Sequence, residues 1–227
     1  MRKQQAGFTL IEIAIVLVII GLLLGGVLKG QELITAARVR NLISTQDGVK
    51  AAYFGFLDRY RALPGDYSGA STNIPGCNVA PACVNGNNNG QINANGTGSP
   101  AATIDEQNAV WEHLSKAGFL TGSYTYAAGA ATTASTPTNP YGAFSQLIFD
   151  AVYQDTAPTS RHNFKTGANI PSDILAEVDR KVDDGKGNTG QLRYSSYGAP
   201  SAYATCTTSD SWKSQSPEAN CGAAVLY

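Results

Sequence analysis

Residues 7–30, GFTLIEIAIVLVIIGLLLGGVLKG, decide the architecture of this chain. From Phe8 to Leu28 the only charged side chain is Glu12. At about 1.5 Å per helical residue this run reaches roughly 30 Å, the thickness of a bilayer's hydrocarbon core. Arg2 and Lys3 stand in front of it, so the positive-inside rule keeps the N-terminus cytoplasmic and sends the chain beyond Lys29 outside. An ordinary secretory signal is the plain alternative. Against it, the apolar stretch exceeds the usual 7 to 15 or so residues and ends without a small-residue cleavage site. Glu12 stands out in this setting, because a carboxylate among apolar residues is costly unless a partner offsets its charge.

Beyond the run, helical periodicity continues. Leu33, Ile34, Ala37, Leu42, Ile43, Val49, Tyr53, Phe54, Leu57 and Tyr60 recur at spacings near three and four, with charged residues between them. One helix from about Phe8 to Tyr60 is predicted. Gly21, Gly25, Gly26 and Gly30 interrupt its front half, each costing up to about 1 kcal/mol relative to Ala, and mark either a stretchable segment or a close-packing face. ALPGD, residues 62–66, is a turn signal that stops the helix.

The remainder reads as an α+β head. Thr103-Ile-Asp-Glu106 has the form of a capping box opening a helix through Ala109, Val110, Trp111, Leu114 and Ala117, with Gly118 as its stop. FSQLIFDAVYQ, QLRYSSYG and AAVLY suit strands, and IPSDILAEVDRKV suits a short amphipathic helix ending at Asp183-Asp184-Gly185. The expected fold is a long N-terminal helix, membrane-spanning in its first half, packed on a small antiparallel sheet with extra short helices and long loops.

Composition narrows function. Lys and Arg total 16 against 17 Asp and Glu, so no basic excess signals nucleic acid. No phosphate-binding glycine loop and no G-x-S-x-G nucleophile motif occurs, so nothing marks an enzyme. Cys77, Cys83, Cys206 and Cys221 all lie beyond the apolar run, an even set that suits disulfides in an oxidising compartment. Three pairings are open. A zinc site would need closer Cys or His spacing, and only His113 and His162 are present.

The loop NGNNNGQI, residues 85–92, places Asn85, Asn87, Asn89 and Gly90 at positions one, three, five and six of a calcium-loop pattern. Its side-chain oxygens are neutral amides, and position twelve is Gly96, so a carboxylate such as Asp105 or Glu106 would have to come from the next segment. Calcium held by Asn85, Asn87, Asn89 and Glu106 is therefore a cofactor the sequence admits, and a plain Asn-Gly loop without any cofactor is the reading it favours. Asn95-Gly96-Thr97 also matches a glycosylation sequon, and Asp183, Asp184 and Asn188 offer oxygens for a cation, with a plain acidic turn the favoured reading.

GFTLIEIAIVLVIIGLLLG resembles the N-terminal processing and methylation signature of type IV prepilins and of type II secretion pseudopilins. The resemblance implies a leader, residues 1–7, cut between Gly7 and Phe8 by a membrane prepilin peptidase that also N-methylates Phe8. It implies a polymerisation helix over 8–30 and a periplasmic or extracellular head over 31–227. Within a filament, Glu12 of one subunit would neutralise the Phe8 amine of another and set subunit stagger. The implied partners are identical or related subunits, the peptidase, an inner-membrane assembly platform and, before assembly, the membrane itself. The C-terminal pair Cys206 and Cys221 is like the loop many type IV pilins close with a disulfide, which favours the two local pairings. A structural filament subunit is thus expected, with a minor pilin or type II secretion pseudopilin whose head binds a ligand, DNA or a secreted protein as the alternative and a membrane-anchored enzyme or sensor the least supported reading.

Overall fold

In a computed structural model the described residues are 9–227. The elements in chain order are α1 (Leu10–Tyr60), α2 (Ala70–Asn73), α3 (Glu106–Lys116), β1 (Gln146–Asp150), β2 (Arg161–Lys165), α4 (Ser172–Val182), β3 (Leu192–Tyr194), α5 (Tyr203–Cys206), β4 (Thr207–Thr208), β5 (Ser211–Trp212) and β6 (Ala223–Leu226). The chain divides into two units, Met1–Arg38 and Val39–Tyr227. Within the first, α1 is helical through Gly21, Gly25, Gly26 and Gly30, and none of the four has a neighbour where a Cβ would stand.

The second unit is the α+β head. Its main sheet has the order β1-β2-β6-β3 with every pair antiparallel, and β4 and β5 make a separate two-stranded ribbon. The register aligns Leu147, Phe164, Val225 and Leu192 in one row across all four strands. These apolar residues are buried in one cluster with Val39, Leu42, Val49, Tyr53 and Phe56 of α1. Period 2 in the strands and period 3.6 in the helix thus meet on one seam. Trp111 and Leu114 of α3 and Leu175 and Val178 of α4, all fully buried, extend the same core.

The opposite face of the sheet is also covered. Lys165 is only 1% exposed, pairs with Asp150 and lies over the ring of Tyr197 at 5.7 Å. Arg193 pairs with Asp155 and lies over Tyr153. Each of these cations therefore has both a carboxylate and an aromatic face, which offsets the loss of water. The edge of β1 is closed by Phe149, whose N–H donates to Ile92 O at 2.8 Å.

Two helix boundaries reflect local chemistry. At the end of α3, Phe119 N donates to Leu114 O and Gly118 N to Ser115 O, with Gly118 at φ +80°, a Schellman stop at the predicted glycine. At its start the capping-box reading fails. The N-cap is Asp105 and no side chain caps the helix, because Glu106 turns its carboxylate into the Asn-rich loop.

Candidate assembly interface

From Leu10 to Leu28 the apolar side chains of α1 stand exposed, and no part of its most apolar stretch is buried. By length and composition this helix is fit to cross a membrane. Gly7 and Phe8, the expected processing residues, lie outside the described residues. Glu12 is described, and its surroundings were not foreseen. The N–H and the hydroxyl of Thr9 both donate to Glu12 Oε2 at 2.8 Å, and Glu12 N donates back to Thr9 Oγ1 at 3.4 Å. This is a reciprocal capping box, readable in the sequence as Thr9-x-x-Glu12. Among the described residues no cation pairs with Glu12. The cap holds one carboxylate oxygen close to the start of the helix and leaves Oε1 outside these bonds.

In the head, the four cysteines form two local disulfides, Cys77–Cys83 and Cys206–Cys221. Both bridges belong to the buried core cluster. This is the pairing the sequence and the family resemblance favoured. The first bridge pins one end of the Asn-rich loop, which then wraps around two carboxyl groups.

Asp66 and Glu106 are both buried. Asn89 N and Gly90 N donate to the two oxygens of Asp66, at 2.9 and 2.8 Å. Asn87 N and Asn93 N donate to the two oxygens of Glu106, at 3.2 and 3.0 Å. Burial and the neighbouring Asp66 charge push the Glu106 carboxyl up to about 7, against the pull of these N–H groups. Burial likewise raises Asp66.

The four predicted calcium-loop residues part company here. Asn87 and Asn89 join Glu106 around the carboxyl pair, while their own Oδ1 atoms accept from Asn89 N and Gln91 N. Asn85 turns instead to Ser71, accepting from its N–H at 2.8 Å and donating to its hydroxyl. Asp66, the second carboxyl of the group, was missed, although it closes the ALPGD turn that the sequence did flag.

His113 ties the same region together. Gly65 N donates to Nδ1 at 2.9 Å, so Nε2 carries the proton and donates to Val84 O at 2.9 Å. The ring is stacked on Phe56 at 14°. Burial lowers its pKa to about 4, keeping the imidazole neutral with both nitrogens satisfied.

The acidic turn after α4 gathers Asp183 and Asp184 with Asp179, which the sequence did not include. Asp179 is buried and accepts from Trp212 Nε1 at 2.6 Å; burial raises its pKa to about 6. Asp183 accepts from the N–H groups of Gln191 and Leu192, and Asp184 from Lys186 N. The turn is thus built as a set of N–H caps on carboxylates.

Comparison with known proteins bears on the N-terminus. Residues 2–28 match the family model of the prokaryotic N-terminal methylation motif. No curated protein and no solved structure matches the chain. The matched motif, the lone Glu12 inside it and the long apolar helix it opens agree on one point: the chain carries the N-terminal signature of the type IV pilins and pseudopilins.

Proposed function

We propose that the chain is a structural subunit of a type IV pilus or a related pilus-like filament, made as a membrane-anchored precursor and polymerised through its N-terminal helix. The observation that carries this reading is the union of the methylation motif at residues 2–28 with a helix whose apolar front has no burial within the chain. Cleavage between Gly7 and Phe8 would leave a cationic amine on Phe8, next to the Thr9–Glu12 cap. In a bundle of such helices that amine is the natural partner for Glu12 of a neighbouring subunit, since each charge removes the other's desolvation cost. The pairing sets register more than it adds net stability. Prepilin peptidase and methyltransferase, an inner-membrane assembly platform and related subunits are the partners this role requires, and the motif's family is structural, without catalytic chemistry of its own.

Intact-mass and N-terminal peptide analysis tests the proposal, using membranes and sheared surface material from cells with and without the peptidase. A chain beginning at methylated Phe8, abundant in the sheared fraction, is the expected result. The same end confined to membranes would reassign the chain to a pseudopilin or minor subunit. An intact Met1 end in peptidase-positive cells would overturn the proposal.

A further inference from the structure

The loop that the filament role leaves unused contains three Asn-Gly pairs, Asn85-Gly86, Asn89-Gly90 and Asn95-Gly96. An Asn-Gly pair can modify itself. The glycine backbone nitrogen, once its proton passes to solvent base, attacks Cγ of the asparagine side chain. The bond from Cγ to the side-chain nitrogen breaks, ammonia leaves and a five-membered succinimide closes. Water then opens the ring at either carbonyl, giving aspartate or isoaspartate without any electron transfer.

All three glycine nitrogens are engaged in hydrogen bonds: Gly86 N with Tyr67 O at 3.1 Å, Gly90 N with Asp66 Oδ2 at 2.8 Å and Gly96 N with Ala102 O at 2.8 Å. What separates the pairs is the rest of the geometry. Asn85 is fixed at both ends of its amide by Ser71, and Asn89 by Gln91 N and Pro100 O. Gly86 is packed so closely on the Asp66 backbone that even a Cβ would collide with it. Freeing either pair means lifting the loop off Asp66, whose carboxyl holds Gly90 N and against whose backbone Gly86 is packed.

Asn95 differs in the freedom of its amide. Its side chain is exposed, and among the described residues nothing hydrogen-bonds its amide. Gly96, like Gly90 and unlike Gly86, has open space around it. Its backbone bond to Ala102 O closes a turn over residues 96–102 that lies outside the core cluster and is tied to the loop through Pro100 O and Ala101 O, which accept from Asn87 and Asn89; when that turn opens, Asn89 is still held by Gln91 N and Gly90 N by Asp66. We infer that Asn95 is a self-modification site of the folded protein, converting to aspartate or isoaspartate, while Asn85 and Asn89 are protected until the loop unfolds. The head surface then gains one negative charge with age, beside Asp105, whose Oδ1 accepts from Asn95 N at 3.1 Å.

The test uses the processed full chain in detergent, with both disulfides closed, held at mildly alkaline pH. Peptide mass mapping, with an isoaspartate-specific methyltransferase as the label, tracks each asparagine over time. Asn95 should convert at least about tenfold faster than Asn85 or Asn89, and the three rates should converge after denaturation and reduction. Asn95→Gln should abolish the conversion in the folded chain. Equal rates in the folded chain would overturn the inference. So would a folded chain inert at Asn95 while the denatured chain reacts, or an Asn95 found carrying a glycan.

Discussion

The front and rear of α1 are one helix with opposite fates for their apolar side chains. In the front, Leu10 is 91% and Leu22 73% exposed; in the rear, Val39 and Phe56 are 0% exposed. The sequence cause is charge spacing. Between Glu12 and Lys29 there is no charged residue to define a polar side, whereas the rear alternates its apolar residues with Arg38, Arg40, Asp47, Lys50, Asp58 and Arg59. An amphipathic helix satisfies itself by packing on a sheet of its own chain; one that is apolar all round must be satisfied by lipid or by other chains. Stability of the head and, on the proposed filament role, assembly are thereby written into separate halves of one element.

Mutations can separate those two properties. Glu12→Leu should cut the yield of sheared filaments at least tenfold or so while leaving the membrane-inserted amount unchanged, because it removes the one charged side chain between Phe8 and Leu28 without touching the head. Equal filament yield would remove the charge-pairing account. Conversely, Phe56→Ala should destabilise the head by about 3–5 kcal/mol in a denaturant titration, and Leu22→Ala should leave that midpoint where it is. A shift from Leu22→Ala would mean the front half contributes to the head after all.

The pH response of the head sharpens the contrast further, since His113 and Glu106 are buried in it. His113 sits near 4 when folded and close to 6.5 when unfolded, so its neutral clamp contributes fully above about 6.5 and is lost as pH falls toward 4. The loss approaches about 3 kcal/mol at the acid limit. Glu106 works the other way. Raised to about 7, it favours the fold below about 4.5 and penalises it as pH climbs through 7. Glu106→Gln should therefore flatten stability between these values, and a profile unchanged by that substitution would show that Glu106 does not titrate in the folded head. At the small end, Lys181→Ala breaks an exposed pair with Glu177 and should change stability by less than about 0.5 kcal/mol.

Legibility from sequence tracked the kind of signal each element carries. α1, α4, β1, β3 and β6 were readable because apolar periodicity states them directly. β2 was not, since RHNFK offers one large apolar residue and becomes a strand only by lying between β1 and β6. The local disulfides were readable from spacing together with the family resemblance. Glu106 was misassigned because a capping box and a loop anchor need the same residue, and only the position of Asp66, forty residues earlier, decides between them. Thr9-x-x-Glu12 was legible and overlooked, the intersubunit role having absorbed the glutamate.

The strand order also sets a timetable. β6 lies between β2 and β3, so the sheet cannot close until residues 223–226 have joined strands made well before them. A head emerging progressively from synthesis or export would hold β1 and β2 as a hairpin whose inner edge, later filled by β6, is open. The interval before that edge is filled is when the chain is most vulnerable to proteases and to pairing with other emerging chains, and it lasts until residues 223–226 are delivered.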